Sequence, residues 1–354
     1  MLPLSIPVYQ ILTPDPCFPS PSPSPRLRPF FIFIFILTYS PMRLPRLNRL
    51  TGLRWWHHAS PRDDSAETVL RQNQEISRRL LSPTPCAIGK IGTTELLGLE
   101  FFERWIRPPW PRAASWHRPA QRLFECSGLF PVQKDIFFRW AVEYRDALGS
   151  LDIVAQWQPG GIFESVLEKK LLDRFCPQAF RAGFYLLRIL APTAPWIDDL
   201  TGLRWMVIHP FEQTIRAQLP HLAELGVYSD SARPALEQRT RDTRILPCPQ
   251  FAYMVPPRHP DWFHALEDMK GKMERQKDAF DIALVGAGAW SLPLVAHAKK
   301  IGKKGMHLGG SLQLLFGIKG GRFDTNGIYN NYWIRPLPEE RPENFQRMEQ
   351  GAYW

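Results

Sequence analysis

The sequence predicts an α/β fold: a Rossmann-like, mostly parallel sheet with helices on both faces. Three observations carry this reading. Short apolar runs without polar alternation recur at Asp152 to Gln156, Leu203 to Ile208 and Ile282 to Val285, as expected of strands buried on both faces. Each run ends at a glycine or proline break. Each break is followed by apolar residues at helical spacing.

The stretch from Asp281 to Phe323 shows the pattern most fully. The strand Ile282 to Val285 meets Gly286 and Gly288. Ser291 and Pro293 then form a helix start, a capping hydroxyl followed by a ring with no N–H to lose. Lys299, Lys300, Lys303 and Lys304 crowd the helix end, where cations suit the macrodipole. Met306, His307 and Leu308 make the next strand, closed by Gly309 and Gly310. In such a βαβ unit both glycine turns fall at the carboxyl edge of the sheet, where α/β proteins bind ligands. A phosphate reaches bare backbone amides only where no Cβ intervenes. Gly286, Gly288, Ser291, His307, Gly309 and Gly310 are therefore candidate ligand-binding residues. A tight turn that only packs strand on helix is the competing account. The third glycine of a dinucleotide fingerprint is missing, and no acid follows the second strand, which speaks against a nicotinamide enzyme.

At 354 residues the chain has ample apolar content for a packed core. Residues 1–60 hold six Arg and one Asp, so they carry half of the net +10. No basic stripe remains on the rest, and nucleic acid is not an expected partner. Five widely spaced cysteines with no CxxC fit reduced thiols in a cytoplasmic protein. Residues 1–60 read as a low-complexity, basic extension, and 61–354 as a single α/β domain. The run Phe30 to Tyr39 is apolar but ten residues long, about half a membrane span. The first 41 residues read as upstream sequence ahead of a natural start at Met42. The alternative is peripheral contact at the inner membrane face, through Arg43, Arg46, Arg49 and Arg54 beside Trp55 and Trp56.

Ala66 to Leu81 is an amphipathic helix. Cys86 to Ile88 is a strand running into Gly89-Lys90-Ile91-Gly92-Thr93-Thr94-Glu95 and a further helix. Lys90, Gly92, Thr93, Thr94 and Glu95 offer a cation, hydroxyls and a carboxylate, the types a phosphorylated sugar needs. The same residues also serve as a plain capping box. Arg104 to Pro119 reads as an irregular loop, Asp135 to Leu148 as a helix, and Glu164 to Phe175 as another. Trp157 stands at a strand's carboxyl end. Phe184 to Leu190 is strand-like, and Pro192 to Leu200 a connector. His209 closes the strand at Ile208 and is a candidate catalytic imidazole; a hydrogen-bonded structural role is equally open. Arg244 to Leu246 is a short strand and Trp262 to Lys277 an amphipathic helix. The segments around Lys90, Trp157, His209 and Gly288 are expected to share one edge.

Four stretches, IGKIGTTEL (88–96), VIHPFEQTIRAQ (207–218), residues 281–323 and MEQGAYW (348–354), resemble a group of bacterial proteins associated with surface-polysaccharide genes. That group is in turn similar to the glycosyltransferases of the GT-D fold. The resemblance implies a GT-D-like domain that binds a nucleotide-activated sugar as donor, with a glycan or glycolipid acceptor. It implies Glu95 as general base or metal ligand. The family's Arg-Phe-Gly-Asp-Gly-Glu signature falls on Lys90 to Glu95, with Lys for Arg, Thr93 for Asp and Thr94 for the second Gly. Its Asp-x-Glu falls near Leu312 to Leu314, where both carboxylates are absent, so a Mn or Mg cofactor is left open. The alternative is a non-catalytic sugar-nucleotide-binding or assembly partner.

A chain beginning at Met42 is expected to express better than the full chain and to melt at the same temperature, because PSPSP cannot build a core. Loss of folding on this truncation, read by circular dichroism, would make Phe30 to Tyr39 part of the core.

Overall fold

The structure is a computed structural model, and it describes residues 65–107, 115–156, 162–183 and 196–354. The basic extension, Trp157 and Phe184 to Leu190 lie outside the described residues. The elements in chain order are α1 (Ala66–Leu81), β1 (Ala87–Lys90), α2 (Thr93–Trp105), α3 (His117–Ser127), α4 (Lys134–Gly149), β2 (Ile153–Ala155), α5 (Ile162–Phe175) and β3 (Phe180–Ala182). There follow α6 (Trp196–Thr201), β4 (Trp205–Ile208), α7 (Glu212–Gln218), α8 (Arg233–Asp242), β5 (Arg244–Leu246), α9 (Trp262–Arg275), β6 (Ile282–Val285), α10 (Ser291–Lys300), β7 (Lys304–His307) and α11 (Leu312–Leu315).

The seven strands form one sheet in the order β3-β2-β1-β7-β6-β4-β5. Every pairing is parallel. Right-handed crossovers explain where the helices go. Connections that step toward the β3 edge run over one face, so α2 to α5, α9 and α10 share a core there with Trp140, Tyr144, Trp262 and Trp290. Connections that step toward β5 run over the other face, where α1, α6, α7, α8 and α11 pack with Trp196, Trp205 and Phe211. The strand after which the chain changes face fixes the site. Helices α2 and α10, after β1 and β6, lie on the first face, while α11, after β7 between them, lies on the second. The carboxyl ends of β1, β7 and β6 therefore mark the topological switch point, the place where doubly wound sheets take ligands.

Two reading differences have physical causes. The stretch expected as loop, Arg104 to Pro119, gives way to α3 at His117, because Ala120, Leu123 and Cys126 form a buried stripe and Gly128, at φ 79°, closes the helix. The expected connector Pro192 to Leu200 holds α6, whose Trp196, Ile197 and Leu200 are buried.

After α11 the chain has no further α-helix among the described residues, and tertiary bonds hold it down. The Gln218 amide donates to the carbonyls of Gly317 and Tyr332. Glu340 accepts the amides of Gln213 and Thr214 at 2.7 and 2.9 Å, capping α7 from a distant part of the chain. The Trp354 ring packs against Phe211, Phe251 and Phe345, and its Nε1 donates to the Glu340 carbonyl. This segment carries Arg322 and Glu349 to the carboxyl edge.

Helix α10 lies so close over β7 that a Cβ on Gly305 would sit 2.6 Å from the Val295 carbonyl oxygen and 2.9 Å from its Cα. Both are backbone atoms and cannot turn aside. Gly305→Ala is expected to cost about 1–3 kcal/mol in urea unfolding. A midpoint equal to wild type would show that α10 lifts freely from the sheet.

Candidate functional site

Lys90 ends β1, and Gly92 is the N-cap of α2. With no side chain on Gly92, Glu95 folds back over it; a Cβ there would collide with the Glu95 carboxylate. The carboxylate accepts hydrogen bonds from Ser127, at the end of α3, and from its own backbone N–H. It thus satisfies its own amide in the first turn of α2, where Gly92 has no side chain to complete the expected capping box, while being 5% exposed. The buried Tyr144 hydroxyl, from α4, lies against the Gly92 backbone and feels the same carboxylate. Gly288 meets Ser127 from the other side: a Cβ on it would lie 2.7 Å from the Ser127 carbonyl oxygen. Ser127 therefore bridges Glu95 and Gly288, although β7 separates their strands.

Gly309, at φ 58°, receives the Lys90 side chain: a Cβ there would meet Cε at 2.8 Å and Nζ at 3.1 Å. This close approach, with the left-handed backbone, is why glycine stands there. His307 lies beneath, its Nδ1 3.1 Å from the Val285 carbonyl and 3.2 Å from the Gly309 amide. Lys90, Gly92, Glu95, Gly288, His307, Gly309 and Gly310 thus share one edge. Thr93 and Thr94 open the first turn of α2, Thr93 exposed and Thr94 half-buried.

Burial dominates the electrostatics. It brings the Lys90 ammonium down to about 8, against the opposing pull of Glu95. It raises Glu95, while the Ser127 hydroxyl and Lys90 pull the other way. A lysine that titrates near neutrality beside a carboxyl raised toward it can bind an anion and move a proton. Burial also holds His209 and His307 neutral, each lowered to about 3.

Two predicted residues take quieter positions. His209 is 1% exposed, and its Nδ1 accepts the Phe211 amide at 3.1 Å. It packs against the Gly286 turn, where a Cβ would approach its ring to 3.0 Å. Ser291 is the first residue of α10 rather than its cap, which is Trp290; its hydroxyl accepts the Ala287 amide at 3.0 Å. The amides of Gly286, Ala287, Trp290 and Ser291 all have partners inside the protein. The 286–291 turn is thus largely self-satisfied, and the bare backbone expected there is better matched by the Gly309-Gly310 turn beside Lys90.

Four residues of this cluster escape sequence reasoning: Ser127, Tyr144, Arg322 and Glu349. The Arg322 guanidinium presses on Gly310, where a Cβ would lie 2.6 Å from Nη1. Its Nη2 donates to Glu349 at 3.0 Å. Both Arg322 and Glu349 act on Lys90 electrostatically. The only signal was their place in the motifs 281–323 and 348–354. A divalent cation does not fit this donor set. Two cations flank the carboxylates, the described residues hold no group of three His, Cys, Asp or Glu able to ligate a metal, and Leu312 and Leu314 are buried. No helix among the described residues is long and apolar enough to cross a membrane.

No protein-family model matches the chain, and no curated protein matches it. Three solved structures do. A glycosyltransferase (DUF1792) from Streptococcus sanguinis is 14% identical, with a TM-score of 0.38 over 70% of this chain and 80% of that one. A structure of domain of unknown function 1792 is 12% identical, with a TM-score of 0.40 over 77% and 95%. Another, described as having a distinct glycosyltransferase fold, is 11% identical, with a TM-score of 0.41 over 77% and 95%. The chain resembles these structures at low identity, and the roles of its residues rest on its own geometry.

The two neutral imidazoles set an acid limit. Between pH 6.5 and about 3 the unfolded chain protonates His209 and His307 while the folded chain does not. Stability is therefore expected to fall with acidification by about 1.4 kcal/mol per pH unit for each. In urea titrations between pH 6 and 4.5, His209→Gln, which keeps an acceptor for the Phe211 amide, should flatten the slope by about one such increment. An unchanged slope would mean that His209 is protonated in the folded state.

Proposed function

We propose that this chain is a glycosyltransferase-like protein that binds a nucleotide-activated sugar at the carboxyl edge of its sheet, serving surface-polysaccharide or glycoconjugate assembly. The observation that carries the reading is the enclosed Lys90–Glu95 pair, set against the Gly309-Gly310 turn. Lys90 is half-buried at the end of β1, with its side chain laid against Gly309. It faces the donor diphosphate together with the diglycine backbone, and Thr93 and Thr94 offer hydroxyls to the sugar. In transfer, the oxygen of an acceptor hydroxyl bonds to the anomeric carbon. The bond from that carbon to the diphosphate breaks, and its electron pair leaves on the diphosphate oxygen. Lys90 offsets the charge that forms there. Glu95 takes the acceptor proton, and its raised pKa makes it a better base than a solvated carboxylate. His209 and Ser291 hold the glycine turns in place from below.

A non-catalytic binding partner is the second reading. It is favoured by Leu312 and Leu314, both buried where the resemblance implies an Asp-x-Glu pair. Titration calorimetry against a panel of nucleotide sugars, with and without Mn²⁺, tests binding. Donor-sugar release tests chemistry. On the enzyme reading, Glu95→Gln lowers turnover about 10²-fold or more while donor affinity changes little. Binding with no turnover, indifferent to Glu95→Gln, would select the partner reading, and silence across the panel would sink both.

A further inference from the structure

Two cations flank one diglycine turn. Lys90 lies on Gly309, and the Arg322 guanidinium lies on Gly310. Arg322 is held in place from three directions. Its Nη2 donates to the Glu349 carboxylate at 3.0 Å, its Nε approaches the Ala352 carbonyl at 3.4 Å, and its Cζ sits 4.1 Å from the centroid of the Tyr353 ring. The Arg322 and Glu349 side chains are 28% and 34% exposed, so this ion pair opens toward solvent. The Glu95 carboxylate is enclosed.

The backbone that delivers Glu349 is unusual. Glu349 and Gln350 have φ of 48° and 58°, left-handed values for residues with side chains, and Gly351 follows at 78°. Non-glycine residues keep such angles only where their surroundings impose them. The surroundings here are Met348, fully buried, and Trp354, wedged among Phe211, Phe251 and Phe345. A carboxylate is thus brought to a guanidinium at a local conformational cost.

We infer that Arg322 is an anion-anchoring residue of this site, and that Glu349 holds its guanidinium as an internal surrogate for the phosphate groups of the ligand, releasing it when they bind. The inference rests on the proposed reading of the site as one for a phosphorylated sugar. A guanidinium binds carboxylate and phosphate through the same fork of N–H donors. A part-exposed ion pair is weak enough to be exchanged. Release also lets residues 349 and 350 leave their left-handed angles. The segment 348–354 is then a strap whose position reports occupancy of the site.

Calorimetry with inorganic pyrophosphate, and with UDP as a second arm, tests this on the full chain. Glu349→Gln should tighten pyrophosphate binding about five- to tenfold, because the competitor is gone. Arg322→Gln should weaken it by about tenfold and abolish the gain when the two are combined. Hydrogen exchange of the 349–354 amides should quicken when wild type is saturated with pyrophosphate. Should Arg322→Gln fail to fold, Arg322→Lys replaces it, with weaker binding again expected because the fork is lost. Unchanged or weaker binding by Glu349→Gln, while Lys90→Gln still weakens it, overturns the surrogate and leaves the site reading standing. Unchanged binding by Arg322→Gln overturns the anchor. Absence of binding in wild type and in Glu349→Gln alike overturns both the inference and the proposed site.

Discussion

The arrangement depends on one electrostatic constraint: Lys90 and Glu95 are withdrawn from most of their water at the mouth of the sheet. Burial pulls each toward its neutral form; Glu95, with Glu349 and Glu168 behind it, pulls Lys90 back, and the Ser127 hydroxyl together with Lys90 pulls Glu95 back. The fold around them serves this balance. Gly92 leaves room for the carboxylate to fold over the start of α2, and Gly309 leaves room for the ammonium stem. Ser127 and Tyr144 line the remaining sides from α3 and α4. A carboxylate in place of Glu95's amide isostere, or an ammonium in place of any apolar residue at 90, would be hard to justify for packing alone.

Strand order brings these groups together. β1 pairs with β7 in the middle of the sheet, so residues more than 200 positions apart become neighbours. The chain leaves β7 on the opposite face from the helices that follow β1 and β6, which is the arrangement of a topological switch point. The terminal segment then crosses this edge. Its hold is distributed: Glu340 on α7, Gln218 on Gly317 and Tyr332, and Trp354 in an aromatic nest. Separate anchors on both sides of Arg322 and Glu349 let that pair shift without detaching the whole segment.

Much of the sheet was legible because buried parallel strands leave a plain trace. Ile282 to Val285 and Arg244 to Leu246 coincide with β6 and β5, and β1, β2 and β4 lie within two residues of their expected ends. β3 was missed because Phe180-Arg181-Ala182 has no apolar run; only its backbone pairing with β2 makes it a strand. α8 was missed because RPALEQRTRD buries only Leu236 and Arg239 and shows no stripe. At the site, Lys90, Glu95 and the two glycine turns stood out because they sit at strand ends, where glycine and charge are conspicuous. Ser127 and Tyr144 were invisible because they lie inside helices and act through tertiary neighbours. Arg322 and Glu349 were invisible as a pair, because they stand 27 positions apart in aperiodic chain.

Charge balance limits what the site can accept. At rest two cations, Lys90 and Arg322, share this edge with the carboxylates of Glu95 and Glu349, and the buried Glu168 also acts on Lys90. A phosphorylated ligand adds at least two negative charges to this set, and in a poorly hydrated place the excess must be relieved. Glu95 can relieve part of it by taking a proton, since burial already raises its pKa. Lys90 adds no new charge, but burial brings it down to about 8 and an incoming anion holds it in its charged form. Glu349 is the carboxylate that can move, being part-exposed on a segment with left-handed backbone. The three responses differ in kind: proton uptake by a base, proton retention by an acid, and displacement of a chain segment. A site that served only to pack a strand against a helix would need none of them, and a leucine at position 90 would fill the space beside Gly309 more cheaply than a desolvated ammonium.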